Sequence, residues 1–258
     1  MITAFISRKG GVGKTTTAVN LAAALAERDR RVLLVDLDSQ ASASLSLGIP
    51  REQLAPSSAD VLLRGLRALD AVRQTRIPNL DLIPASVDLM DADAELGNYK
   101  GRTVRLRTAL TPLADAYDDI LLDCAPSLSV IPANAVVASQ GFVAPTTPHF
   151  LSTVGLKNLL EGAQRLAQEA GSRTIPLGVL LTMVDYRTKL TRRTVDEIRT
   201  EYGSLVFAIE VRTNTRLAEA PEAGLTIFEY DPRATGAQAY RLLAEEFLLR
   251  CSEVGRRG

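Results

Sequence analysis

SRKGGVGKTTTAVNLAAALAERDRRVLLVDLD, residues 7–38, runs from a glycine-rich turn through an alanine-rich helical pattern to a buried strand with two aspartates at its end. Just upstream, ITAFIS (2–7) is another apolar run. Strand, glycine turn and helix in that order are the setting a phosphate-binding loop requires. Gly10, Gly11 and Gly13 let the backbone approach phosphate oxygens with its N–H groups turned inward. The helix beginning at Lys14 adds the positive end of its dipole. Lys14 is placed to reach β- and γ-phosphates, and the Thr15 hydroxyl to complete a Mg2+ shell. The predicted loop contacts therefore run over Gly10, Gly11, Val12, Gly13, Lys14, Thr15 and Thr16. The loop departs from G-x-x-x-x-G-K-[ST] at its first glycine, where Arg8 stands. It also carries Lys9, a cation that a site already served by Lys14 does not need. On the residues alone, Lys9 also reads as a solvated surface lysine.

Working outward, the same alternation continues. Apolar runs predict strands at 2–7, 31–38, 80–85, 118–125, 141–147, 175–184 and 205–211. Helical patterns occupy 16–28, 104–116 and 155–170. Strands apolar on both faces and separated by helices predict a doubly wound α/β fold with a mainly parallel sheet, its ligands at the carboxyl ends of the strands. No repeat or linker interrupts the pattern, so residues 1–258 are expected to form a single domain. Hydrophobic residues make up 46% and charged residues 23% of the chain, enough for a sizeable core without staples. Cys124 and Cys251 have no metal-ligand spacing and suit a reducing cytoplasm. The single histidine, His149, excludes chemistry built on a histidine pair. Thirty basic residues balance thirty acidic ones, so affinity for a polyanion has to come from a local patch. A first strand starting near Ile2 leaves no room for a signal peptide or an operator-binding extension. No apolar run nears the ~20 residues that span a bilayer.

Further carboxylates stand at strand ends. VLLVDLD ends in Asp36 and Asp38, and DDILLDCAPS places Asp123 after an apolar run. A buried carboxylate there is costly unless a cation or a donor meets it. Asp123 alone reads equally as a metal ligand and as a cap for the next segment; the phosphate loop tips it to the ligand. YRTKLTRR (186–193) holds Arg187, Lys189, Arg192 and Arg193 without an acid. By itself it reads as a solvated helix start balanced by Asp196 and Glu197.

KGGVGKTT resembles the deviant Walker A motif of the ParA/MinD ATPases. TMVDYRT (182–188), NTRLAEAPEAGLTIFEYDP (214–232) and GAQAYRLLAEEF (236–247) resemble the ParA/Soj branch, so the resemblance covers essentially the whole chain. It implies ATP and Mg2+ as cofactors and a homodimer closed around ATP, with Lys9 matching the signature lysine that reaches the partner's nucleotide. Asp38 matches the aspartate that positions the attacking water, and Asp36 the one near magnesium, with Thr15 and Asp123 as the other metal residues. Catalysis thus falls to Lys9, Lys14 and Asp38. The resemblance also implies non-specific double-stranded DNA binding by Arg187, Lys189, Arg192, Arg193 and Arg216. A ParB-type partner is implied to stimulate hydrolysis. Adenine is expected near Met183, Thr213 and Asn214. Ser39 and Ala41 depart from the family's D-x-D-P-Q-G, and Ala125 stands where a second proline is frequent.

Three other readings are weighed. A MinD-like membrane ATPase needs a basic amphipathic C-terminal helix. The tail has an apolar stripe of Leu242, Leu243, Phe247 and Leu248, but Glu245 and Glu246 among them would repel anionic lipid. A helix packed on the core, with no membrane contact, is expected instead. An iron–sulfur ATPase like the nitrogenase iron protein needs cysteines at a subunit interface, and neither cysteine fits. A non-enzymatic nucleotide-bound scaffold, or an ATPase that positions another cargo, would use the same motor residues and differs only in its partner. The expected location is the cytoplasm, on the nucleoid.

Overall fold

Strands with apolar side chains on both faces need cover on both sides, and the chain supplies it. The computed structural model describes residues 1–97, 99–127 and 129–255. One sheet is formed by β1 (Ile2–Phe5), β2 (Val32–Leu37), β3 (Arg73–Gln74), β4 (Leu80–Ile83), β5 (Asp119–Cys124), β6 (Gly141–Thr146), β7 (Ile175–Val184) and β8 (Val211–Arg212). The order is β3-β4-β2-β5-β1-β6-β7-β8, parallel except for the β3–β4 edge pair. The helices are α1 (Lys14–Ala26), α2 (Ser42–Ser46), α3 (Ser58–Arg64), α4 (Ala68–Ala71), α5 (Ala92–Leu96), α6 (Arg105–Leu110), α7 (Val130–Ala138), α8 (Phe150–Glu169), α9 (Lys189–Tyr202), α10 (Thr215–Glu219), α11 (Ile227–Tyr230) and α12 (Thr235–Gly255).

In β2, Leu33, Val35 and Leu37 pack on one face with α3 to α9, while Val32 and Leu34 pack on the other with α1 and α12. After β1 the chain winds toward one edge, and from β6 to β8 it winds toward the other. Connections therefore part around β1, which opens a crevice at its carboxyl end. Helix α1 is buried at every residue from Thr17 to Ala26, because it lies between the sheet and α12. Its alanines let the two helices approach closely. Helix α12 returns Tyr240, Leu243, Ala244 and Phe247 to the core, an i, i+3, i+4, i+7 face. Leu242 of the expected stripe is instead 50% exposed. Among the described residues, no helix is long and apolar enough to cross a membrane.

Two expected elements form differently. The expected strand 205–211 survives only as β8 and an isolated bridge at Val206. Side chains of α12 replace its ladder: Glu246 accepts the N–H groups of Ala208 and Ile209, and Arg250 donates to the carbonyls of Leu177, Leu205 and Val206. The expected helix 104–116 stops at Leu110 and tightens into a 3-10 turn, Thr111–Leu113. Pro112 has no N–H to continue the α-helical pattern. Helix α7 had no sequence signal of its own, since all nine of its residues are buried and no polar face sets a period.

Candidate functional site

The turn between β1 and α1 takes its shape from glycine. Gly11 and Gly13 have φ of 70° and 75°, left-handed values that a side chain resists. Gly13 is the N-cap of α1, so its carbonyl accepts the first helical bond, from the Thr17 N–H at 2.9 Å. The N–H groups at the head of α1 are left facing the crevice without helical partners. A Cβ at Gly10 or Gly11 would meet nothing within 4 Å, so the cradle is open above them. Arg8 and Lys9 are exposed on its rim. Among the described residues, no hydrogen bond or ion pair holds the Lys9 ammonium.

Below the cradle, parallel register sets Asp36 of β2 beside Asp123 of β5. Both are fully buried, an unfavourable placement for two like charges. Lys14 relieves it, its Nζ lying 3.4 Å from Asp123 Oδ1. Burial lowers the pKa of the Lys14 ammonium, but Asp123, Cys124 and Asp38 outweigh it and leave the pKa raised. Burial pushes the Asp123 carboxyl up, against the pull of Lys14 and the nearby Thr15 hydroxyl. Asp123 Oδ2 is buried with no hydrogen-bond partner among the described residues. A buried, unpartnered carboxylate oxygen beside a threonine hydroxyl is the donor set that suits a hydrated divalent cation.

Asp36 is differently engaged. Its Oδ1 accepts the Asp38 N–H at 3.2 Å, and its Oδ2 accepts the Ser44 N–H at 2.9 Å and the Ser44 hydroxyl at 2.7 Å. Burial first, then the Asp123 charge, pushes its pKa up to about 7. It anchors the segment 38–44 as much as it faces the crevice. Ser44, which holds it, has no signal in the sequence. Asp38 is half-buried, and its Oδ1 accepts the Gln40 N–H at 3.0 Å. Ala41 has φ 54° and ψ 33°. That left-handed backbone favours glycine, and alanine costs roughly 1–2 kcal/mol there.

The expected adenine residues gather near the loop. Met183, 45% exposed, brings its Cε to 3.6 Å from where a Gly13 Cβ would be. Thr213 joins this edge through its N–H to the Val184 carbonyl at 3.2 Å. Asn214 is already engaged: its Oδ1 caps α10 through the Arg216 and Leu217 N–H groups, and its Nδ2 donates to Thr235. One amide hydrogen of Asn214 remains to offer a base.

The basic residues divide. Arg187, Lys189, Arg192 and Arg193 are all exposed around the start of α9. The acid-free window ends one residue short, because Asp185 just outside it forks Arg187 at 2.5 Å. Arg193 pairs with Glu197 at 3.4 Å, and Arg216 with Glu219 at 2.8 Å and Asp231 at 3.7 Å. Lys189 has no such partner among the described residues. No acid occupies the first turn of α9. Lys189 and Arg192 thus sit at the positive end of a helix dipole with no acid partner among the described residues, where they are disfavoured unless an anion joins them.

Comparison with known proteins places this geometry. A family model described as an AAA domain matches residues 1–174. The sporulation initiation inhibitor protein Soj of Bacillus subtilis (strain 168) is 40% identical over 245 residues, covering 95% of this chain and 97% of its own. The chromosome partitioning protein ParA of Caulobacter vibrioides (strain NA1000 / CB15N) is 39% identical over 251 residues, covering 96% and 94%. Cobyrinic acid a,c-diamide synthase from Mycobacterium smegmatis, solved with a bound ATP analogue and magnesium, superimposes with a TM-score of 0.84 at 32% identity, covering 98% and 96%. Similarity of this extent makes the chain a member of the ParA/Soj branch of the ParA/MinD deviant Walker A ATPases.

Proposed function

We propose that this protein is an ATP-dependent DNA partition ATPase working in the cytoplasm on the nucleoid. It binds ATP with Mg2+, pairs with a second copy around the nucleotide, and holds double-stranded DNA without sequence preference. A ParB-type partner stimulates hydrolysis and release. The observation that carries the nucleotide assignment is the buried Lys14–Asp123 pair with its open Asp123 oxygen, set under a left-handed glycine turn at a helix start. Names of relatives concerned with chromosome partitioning support the cargo.

The geometry supports the roles that the resemblance implies. N–H groups of residues 10–16 cradle the phosphates, and Lys14 swings from Asp123 toward them. Thr15 and Asp123 hold the cation, with Asp36 behind them. Mg2+, when bound, would neutralise charge on the phosphate oxygens. Among the described residues, no three His, Cys, Asp or Glu side chains could cage a metal alone, as suits an ion that keeps water and phosphate as ligands. Asp38 has Oδ2 free of hydrogen bonds among the described residues and orients the attacking water with it. Lys9, exposed and without a side-chain partner among the described residues, completes the partner's site.

Light scattering tests the pairing. Wild type should dimerise with Mg-ATP, whereas Lys9→Ala should stay monomeric while still binding nucleotide. A Lys9→Ala variant that dimerises normally would remove the lysine's role across the interface.

DNA binding is proposed for Arg187, Lys189, Arg192, Arg193 and Arg216 as phosphate contacts without base readout. In a chain of zero net charge, two copies of the patch are needed, so binding should require ATP. Its log–log salt slope should be roughly −0.9 per phosphate neutralised. Arg187→Glu or Arg216→Glu should abolish binding to two unrelated duplexes and leave ATP-driven dimerisation intact. Equal affinity with ATP and ADP would sink the nucleotide-gated mechanism.

A further inference from the structure

The phosphate loop is gripped from behind by two hydroxyls, one from the distant strand β7 and one from α1 that a tyrosine of α12 backs. Thr182 of β7, 2% exposed, donates its Oγ1 hydrogen to the Val12 carbonyl at 2.8 Å. Thr17 of α1 donates its hydroxyl to the Gly13 carbonyl at 2.7 Å. Tyr240 of α12, 1% exposed, lies with its OH 3.3 Å from Thr17 Oγ1. Since the one Thr17 proton goes to Gly13, the phenol donates to Thr17. The result is a chain from Tyr240 to Thr17 to the Gly13 carbonyl.

In a trans peptide the C=O and the following N–H point in opposite directions. Fixing the Val12 carbonyl therefore aims the Gly13 N–H, and fixing the Gly13 carbonyl aims the Lys14 N–H. Without its anchor the Val12–Gly13 plane is loose, whereas the Gly13–Lys14 plane is held by the Thr17 N–H and tightened further by the hydroxyl. Turning the Val12–Gly13 peptide over changes only ψ of Val12 and φ of Gly13, and glycine accepts either sign of φ. The strand is shaped to deliver the hydroxyl. Val179 and Leu181 face the α3–α9 side, while Leu180 faces α1. By alternation Thr182 joins the α1 side, and Val184 should follow it. Val184 instead packs with Leu181. Met183, at φ 51°, and the register shift around it switch the side and let the strand end there.

We infer that Thr182 and the Thr17–Tyr240 pair are positioning residues that preset the Gly13 and Lys14 N–H groups for the phosphates. This rests on the reading of the loop as an ATP site. Presetting matters because donors already aligned need no rearrangement when the anion arrives.

The test follows backbone amide protons of the full-length protein by NMR during titration with Mg-ATP, together with the dissociation constant. In wild type both the Gly13 and Lys14 amides should move downfield. Thr182→Val keeps the shape but removes the donor. It should weaken Mg-ATP by about tenfold and lose the Gly13 displacement while keeping that of Lys14. Thr182→Ser should restore both. Tyr240→Phe should give the converse pattern, a reduced Lys14 displacement with Gly13 unchanged, and this variant serves should Thr182→Val not fold. A purely structural role would lower stability without this peptide-by-peptide selectivity. Thr182→Val or Tyr240→Phe with wild-type affinity and both displacements intact would overturn the inference and leave the ATP site standing. A wild-type protein in which neither amide responds to Mg-ATP would overturn the ATP reading and the inference with it.

Discussion

Replacing Lys14 with methionine is expected to weaken Mg-ATP binding by about a hundredfold or more and to destabilise the free protein. The first effect is loss of a desolvated cation from the phosphates. The second arises because Asp123 is fully buried and has Lys14 as its ion-pair partner at 3.4 Å. Breaking a buried pair from one side leaves an uncompensated charge, which costs roughly 3–5 kcal/mol. A second substitution, Asp123→Asn, in the Lys14→Met background should recover most of that stability and none of the binding. Urea unfolding beside isothermal titration separates the two. If the double variant were no more stable than Lys14→Met, the pair would not be what holds the carboxylate.

Asp38→Ala should leave ATP binding in place and reduce turnover by about 10²- to 10⁴-fold, the range associated with a positioned proton-accepting group. The reason for the separation is location. Asp38 follows the end of β2, and its hydrogen bonds go to the local segment, with the Gln40 N–H held at 3.0 Å. It makes no bond to the loop of residues 9–15 among the described residues. Single-turnover kinetics should show ATP bound and uncleaved, and scattering should show a dimer that persists. Wild-type turnover in Asp38→Ala would end the water-orienting role.

How far the sequence could be read depended on distance along the chain. The strands of the sheet were legible because runs such as VLLVDL are apolar on both faces, and that pattern has few other homes. The loop was legible because its glycines, lysine and threonine are contiguous. Helix α7 left no trace, being apolar all round. The expected strand at 205–211 failed for a tertiary reason, since Glu246 and Arg250 on α12 took the backbone groups a strand would have used. The resemblance marked Ala41 as a departure, but only its φ of 54° shows what a glycine would supply there. Thr182 and Tyr240 lie 170 and 223 residues from the partners they hold. No local pattern predicts such a bond. Likewise the side-by-side placement of Asp36 and Asp123 comes from strand order, which periodicity does not encode.

That placement bears on which form of the nucleotide the site accepts. In the free protein the charge of Lys14 is already matched by Asp123. A phosphate that draws the lysine away uncovers a carboxylate that water cannot reach, next to a second one in Asp36. On the proposed reading, a divalent cation arriving with the phosphate would replace the lost counter-charge, so cation and nucleotide would each raise the affinity for the other, by the same factor in both directions. The metal-free nucleotide would meet a penalty built from the protein's own charges. Ligand selection would then be heterotropic cooperativity across a few ångströms: the pocket would discriminate by total charge delivered, before any contact with the base is made.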